Sequence, residues 1–404
     1  MEYQGMPYLK NKLAMKQGRV NLRYNYYEMK NRVQDFNIVI PKSWTWLTAV
    51  LGWSGMAVDS LADRLVFREF AEDNFNLNQI YDMNSRDVLF DNSVRSACIA
   101  SCSFIYLSAD ESGYPRLQVI DAFDATGILD PITMMLTEGY AVLERDPKTK
   151  AATVEAYFRA EDTWFYETGK KPYSIKNPAP YPLLVPIILK PGARRPFGHS
   201  RLSRACMNIQ QAALRTLKRM EISAEFYSFP QKYVLGTSPD ADLLDKWKTT
   251  ISSLLQIDKD EEGDKPTVGQ FSQQSMTPFM EQLKAYASLF AGQTGLTLDD
   301  LGFAGANPSS YEAIKAAHEN LRLAARAAQR SFSVGFLNAG YLAACIRDDY
   351  AYQRRQFYLT KARWEPIFEP DASQISGIGD AVNKIQQSFP DYFTEEKLQD
   401  LTGF

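Results

Sequence analysis

From Gly198 onward the apolar residues fall into one stripe. Leu202, Cys206, Ile209, Ala213, Leu217, Met220 and Ala224 recur at three- and four-residue steps, the period of an amphipathic helix. A second stripe, polar and basic, runs beside it through Arg201, Arg204, Gln211, Arg215 and Lys218. Pro230 stops the pattern, so it predicts a rod of about 28 residues, roughly 42 Å long. Pro278 suits the first turn of a second helix, which ends near Gly292. A third helix is predicted from Ser310 to about Leu342. Its charged face carries Glu312, Lys315, Glu319, Arg322, Arg326 and Arg330. Glu placed before Lys or Arg at these steps supports a helix locally. The other faces are mostly alanine, which lets neighbours pack closely.

Upstream, residues 8–36 read as a polar helix with Tyr24, Tyr26 and Tyr27 clustered. Trp53, Val58, Leu61 and Leu65 mark a second helix, and Ile80, Met83, Val88, Val94 and Ile99 a third over 76–104. The period then changes. Leu117 to Ile120, Tyr140 to Glu144, Thr153 to Phe158 and Thr163 to Tyr166 read as strands of an antiparallel meander. Asp146 to Lys150 is a turn between two of them. Leu183 to Leu189, interrupted by Pro186, suits a last strand at a sheet edge. Residues 50–198 therefore predict an α+β domain. After the first rod, Tyr233 to Leu235 and Thr267 to Phe271 are short strands, Asp240 to Leu255 is a helix, and Asp258 to Lys265 is an acidic turn. The tail predicts two short helices, Gly379 to Ser388 and Thr394 to Leu401.

Between the second and third helices lies a loop with Gly292, Gly295, Gly302 and Gly305, together with Thr294, Asp299, Asp300 and Asn307. Glycine reaches backbone angles other residues avoid. Pro308 blocks a helix entering from the left, and Ser309 with Glu312 fits a capping box. A mobile loop on a rigid helix suggests a device that moves or touches something, rather than a pocket for a small molecule.

Composition narrows the chemistry. The 404 residues carry 45 Lys and Arg against 48 Asp and Glu, so the chain as a whole is not a basic nucleic-acid coat. Four cysteines (Cys98, Cys102, Cys206, Cys345) and two histidines (His199, His318) are scattered, which predicts buried free thiols and no zinc site. No apolar run approaches the ~20 residues that span a bilayer, and the start of the chain lacks a signal peptide's apolar core. Assembly in the cytoplasm is expected, with no membrane partner. G-x-S-x-G, P-loop and H-E-x-x-H patterns are absent. Adjacent Asp299 and Asp300 could hold a metal in a metal-dependent phosphodiesterase or nuclease; the plainer expectation is a solvated turn. The basic stripe is equally a solvated helix face or, repeated around a ring, a positive channel lining.

Several segments share an order and spacing with one known family. Tyr26-Tyr27, Ile40-Pro41, Trp53 and Val58-Asp59-Ser60-Leu61 with Arg64-Leu65 open the series. Phe197-Gly198-His199-Ser200-Arg201-Leu202, then Ala224-Glu225-Phe226 with Phe229-Pro230-Gln231-Lys232-Tyr233, continue it. Thr294-Gly295-Leu296 through Leu301-Gly302, and Asn307-Pro308-Ser309-Ser310 with Glu312-Ala313-Ile314, close it. Together they resemble the portal proteins of tailed bacteriophages, the ring at the head vertex through which DNA is packaged and ejected.

The resemblance implies a mostly helical α+β portal fold. It implies an antiparallel wing over 1–198, a stem helix over 199–228, a small α/β clip over 229–276 and a second stem helix over 277–292. A tunnel loop over 293–309, a return to the wing over 310–369 and a short helical crown over 370–404 would follow. Thr294, Gly295, Asp299, Asp300, Gly302 and Asn307 would face DNA. Arg201, Arg204, Arg215 and Lys218 would be candidates to line the channel. It further implies a non-enzymatic homo-oligomeric ring of about twelve subunits with closed symmetry, passing double-stranded DNA of any sequence. The terminase large subunit, head-tail adaptors and capsid proteins would be its partners in the virion, with no cofactor, metal or catalytic residue.

Overall fold

The computed structural model describes residues 4–34, 47–228, 232–235, 267–270, 275–303, 311–368, 372–390, 392–394 and 397–398. The chain divides into a larger unit of residues 1–31, 52–207 and 291–404 and a smaller one of 32–51 and 208–290. The N-terminal half contains α1 (Met6–Tyr27), α2 (Trp53–Ala62), β1 (Phe67–Ala71), α3 (Leu77–Asp82) and α4 (Arg86–Ala100). Eight strands follow: β2 (Cys102–Ala109), β3 (Pro115–Asp121), β4 (Ala125–Leu129), β5 (Leu136–Arg145), β6 (Ala152–Phe158), β7 (Asp162–Glu167), β8 (Tyr173–Lys176) and β9 (Leu184–Ile188). Then come α5 (Arg204–Ser228), β10 (Lys232–Leu235), β11 (Thr267–Gln270), α6 (Thr277–Thr294), α7 (Tyr311–Ala317), α8 (Glu319–Arg347), β12 (Lys361–Trp364) and α9 (Ala372–Ser388). Helices and antiparallel strands in one chain make the α+β class that the patterning predicts.

In the larger unit, strands β4 to β8 form an antiparallel meander in sequence order. The β5–β6 turn falls where the sequence puts it. Asp146 accepts from the Lys148 amide at 2.7 Å and the Thr149 hydroxyl at 2.9 Å, and Lys150 closes the turn at φ 58°. A second sheet has the order β3-β2-β9. Every residue of β9 is buried, which explains its unbroken apolar run, and Pro186 lies on this edge strand opposite Phe104.

The helix expected over 76–104 is three elements instead. A turn at Asn84 and Ser85 separates α3 from α4, and Ser101 ends α4 in a left-handed conformation at φ 92°. Strand β2 then starts at Cys102. Its first four residues are all buried, so it shows no polar alternation by which a strand could be recognised. Strands β1 and β12 pair antiparallel, with Phe67 opposite Trp364. Among the rings packed there, Phe90 stacks on Phe67 at 4.0 Å and on Phe336 at 3.9 Å, and the Tyr81 hydroxyl donates to the Phe336 carbonyl at 2.6 Å. Helix α8 runs through this core. A Cβ at Gly335 would lie 2.7 Å from the Ile187 side chain and 3.0 Å from the Pro186 oxygen, so glycine sets how closely α8 approaches β9. The single helix expected from Ser310 is broken at His318 into α7 and α8.

In the smaller unit, Thr216 of α5 donates to Gln282 of α6 at 3.1 Å. Gln211 binds the Arg32 carbonyl and the Gln34 amide, at 2.9 and 3.0 Å. Strands β10 and β11 pair antiparallel from Lys232–Gln270 to Leu235–Thr267. The helix expected at Asp240–Leu255 and the acidic turn at Asp258–Lys265 lie outside the described residues. In the tail, α9 begins earlier than expected, at Ala372, and of the last expected helix residues 394 and 397–398 are described, the latter two as helical.

Candidate functional site

Two segments of the larger unit meet at one place: the approach to α5 and the loop after α6. In the first, Gly198 has φ 73°, and a Cβ there would sit 2.0 Å from the Leu189 oxygen. Only glycine lets the chain turn so close to β9. The next four residues are fastened in succession. The His199 amide donates to the Leu189 carbonyl at 2.9 Å, the Ser200 hydroxyl to the Ile99 carbonyl at 2.6 Å, and the Arg201 amide to the Cys98 carbonyl at 2.9 Å. Leu202 is fully buried. Ser203 then accepts from the Cys206 amide at 3.2 Å, the N-cap contact, so α5 starts at Arg204.

Arg201 therefore lies before the helix, which corrects its placement on a helical basic stripe. Its guanidinium donates to the Ala57 carbonyl at 3.0 Å and to the Thr294 carbonyl. Burial pulls its pKa below the ordinary arginine value. The side chain bridges α2 to the end of α6.

The loop beyond α6 is a folded turn as far as Phe303. Gly295 takes φ 70° just after the helix and donates to the Ala291 carbonyl at 2.8 Å, a left-handed helix cap. A Cβ there would lie 3.3 Å from Cβ of Asn320. Leu296 and Leu301 are buried. Gly302, at φ 87°, caps a short 3₁₀ helix over Asp299–Leu301. Both glycines are thus left-handed caps of this turn. Asn307 lies outside the described residues.

The two aspartates have different surroundings. Asp299 is exposed, whereas Asp300 is drawn inward. Asp300 accepts from the Thr297 amide at 2.7 Å and the Thr297 hydroxyl at 2.9 Å, and His318 Nε2 lies 3.1 and 3.3 Å from its two oxygens. The other ring nitrogen, Nδ1, lies 2.8 Å from the Ile314 carbonyl. Both nitrogens face acceptors. Burial pushes the Asp300 carboxyl up, but the bonds from Thr297 and His318 outweigh it and hold the carboxyl below the ordinary carboxylate range. This network makes Asp300 the clasp between the loop and the start of α8, and its oxygens are spent on that. Among the described residues no cluster of three His, Cys, Asp or Glu side chains could hold a metal ion.

The remaining sequence candidates differ in exposure. Thr294 is 2% exposed and Lys218 3%. Arg204 is exposed, and Arg215 is half-buried and donates to the Gln34 carbonyl at 3.4 Å. The basic stripe is divided because residues 32–34 lie along α5 and bond to Gln211 and Arg215. Periodicity alone did not reveal Gly198, Ser200 and Ser203 as anchors, although a serine three residues before Cys206 is a readable cap.

Two curated relatives cover most of the chain. One is named Portal protein, from Mycobacterium phage L5, 24% identical over 327 residues, spanning 74% of this chain and 65% of the relative. The other, also named Portal protein, is from Mycobacterium phage D29, 27% identical over 338 residues, spanning 74% and 66%. The chain is similar to bacteriophage portal proteins. It spans slightly less than two thirds of the length of these portal relatives. No protein-family model matches it. Among solved structures, the virion of a native gene transfer agent particle contains a chain 13% identical with a TM-score of 0.40, covering 87% of this chain and 89% of that one. The neck of the native particle computed with C12 symmetry gives 14% identity, a TM-score of 0.41 and the same coverage. Likenesses that distant add no weight to the portal similarity. No described helix of this portal-like chain is long and apolar enough to cross a membrane.

Proposed function

We propose that this chain is the portal subunit of a tailed bacteriophage or prophage. About twelve copies close by rotational symmetry into a ring through which DNA passes during packaging and ejection. The observation that carries the reading is the match to two portal proteins over 74% of the chain. In this assignment residues 1–198 and 310–369 form the wing, α5 and α6 the stem, 229–276 the clip, 293–309 the tunnel loop and 370–404 the crown. The clip docks the terminase large subunit and then the head-tail adaptors, and capsid proteins hold the ring at the vertex.

The role is structural and non-enzymatic, with no cofactor. Duplex DNA of any sequence is met through its phosphates and held weakly. Exposed Arg204 and exposed Asp299 suit opposite parts in this, one attracting phosphates and one repelling them. The Arg201 bridge to Thr294 and the Asp300–His318 clasp support a tunnel loop with a fixed root. The nuclease alternative has no observation in its favour, since Asp300 is committed to Thr297 and His318.

Mass photometry and electron microscopy of the purified chain test the proposal. A ring with a central opening is expected, near 550 kDa for roughly twelve copies of a 45.8 kDa chain. Monomers or dimers under every condition of salt and concentration would overturn it.

A further inference from the structure

Helix α1 carries Lys12, Lys16, Arg19 and Arg23 at steps of four, three and four residues. These steps place all four on one face. Like charges at such spacing repel and destabilise a helix, yet no acidic residue interleaves them. In the larger unit this face borders a cavity of about 310 Å³. Arg195 closes it from the other side, beside Pro196, Phe197 and Gly198, and Ser101, Cys102 and Thr126 complete the wall. Five cations thus converge on one hollow whose volume is at the small end of ligand sites, roughly 300–1,000 Å³.

The cations are held but not neutralised. Lys12 donates to the Gly127 carbonyl at 2.7 Å, Lys16 to the Ala125 carbonyl at 2.6 Å and Arg23 to the Ala100 carbonyl at 2.8 Å. Lys12 lies 5.1 Å from the Phe197 ring centroid and Lys16 5.3 Å from that of Phe104. Among the described residues none of the five pairs with a carboxylate. The carboxylate acting on Lys16, Asp121, spends an oxygen on the backbone amides of Phe123 and Asp124. Carbonyls orient ammonium and guanidinium groups without cancelling their charge, so the excess remains available to an anion.

We propose that this cavity binds a phosphate-class oxyanion, supplied either as free phosphate or as the phosphodiester of a nucleic acid. Lys12, Lys16 and Arg23 are pre-positioned by their carbonyl bonds, and Arg19 and Arg195 are exposed at the rim, able to close on the anion in the manner arginine forks favour. The empty-state cost agrees: burial first, then the neighbouring Lys12 and Arg19, bring the Lys16 pKa down to about 8 against partial support from Cys102 and Asp121. A bound anion offsets that cost. The site does not depend on the portal reading, and the ring measurement above is separate from its test.

The test uses the full chain at constant ionic strength, replacing chloride by inorganic phosphate while following phosphorus-31 linewidths and the melting temperature. A parallel arm adds a thymidine octanucleotide. Saturable binding is expected, with the dissociation constant raised about tenfold in Arg19→Gln and again in Arg195→Gln, the size of one charge-assisted hydrogen bond. Both side chains are exposed, so the variants should fold, and circular dichroism checks this. Binding of phosphate assigns the free ion as the source; binding of the octanucleotide alone, with the same dependence on the variants, assigns the phosphodiester. Binding of neither, or binding unchanged in both folded variants, overturns the proposal.

Discussion

Replacing Gly198 by alanine tests the architecture where it is tightest. The new Cβ would lie 2.0 Å from the Leu189 oxygen, 2.8 Å from Cγ2 of Ile188 and 3.0 Å from the Leu189 carbonyl carbon. The nearest of these is backbone, so relief requires shifting the chain by about 1.5 Å to reach ordinary contact. The shift strains the His199–Leu189 bond and the Ser200–Ile99 bond that follow it. The left-handed backbone costs alanine about 1–2 kcal/mol, and each buried hydrogen bond broken costs about 1–3 kcal/mol. Reduced freedom of the unfolded chain returns about 0.4–1 kcal/mol. The expected loss is about 3–5 kcal/mol, a large part of a typical stability of about 5–15 kcal/mol.

Gly113 supplies the control, with φ 83° and nothing within 4 Å of its would-be Cβ. Gly113→Ala should lose only the backbone term, about 1 kcal/mol after the unfolded-state gain. Urea unfolding followed by circular dichroism compares the two. A Gly198→Ala protein no less stable than Gly113→Ala would refute the close-approach reasoning.

Arg201→Met should lower stability by about 2–4 kcal/mol, because the Ala57 and Thr294 carbonyls lose a charged donor; hydrogen exchange at residues 294–303 should rise, and unchanged protection there would remove the anchoring role. Asp300, held below the usual carboxylate range, stabilises the fold above the unfolded carboxylate pKa and loses that contribution as pH falls through its folded pKa, below about 4. Acid titration of stability should therefore be shallower in Asp300→Asn; identical profiles would show that the clasp contributes nothing. Together with the ring and phosphate measurements, these cover the assembly, the loop root and the cationic hollow.

What could be read in the sequence had local causes. Strands β5, β6 and β7 are legible because period-two alternation and an Asp-Pro turn are short-range signals; β4 and β8 are not, and Leu117 to Ile120, expected in the same meander, pairs with β2 in the other sheet. The apolar run of β9 was visible because burial on both faces leaves no polar interruption. The same burial hid β2, which follows α4 after one left-handed serine in place of the usual glycine or proline marker. Strands β1 and β12 could not be read, since Phe67 and Trp364 meet only through tertiary structure. At the candidate site, the glycines and aspartates of the loop stood out, but their roles did not. Asp300 faces a histidine 18 residues away and Thr294 an arginine 93 residues away. Arg201 was grouped with the helix because a period shows where a stripe runs, not where its first turn begins. The spacing of the cations on α1 is plain in the sequence, and only the fold shows that, among the described residues, none of them pairs with a carboxylate.

The rings around Phe90 carry a consequence for biogenesis. Phe67, Tyr81 and Phe90 leave the ribosome well before Phe336 and Trp364, which cover them in the finished molecule. Throughout synthesis of the intervening segment these early aromatics lack their permanent neighbours. Maturation of the larger unit therefore waits until residues 336–364 have been made, and a product released before them would present sticky surface to the cell rather than a smaller working piece.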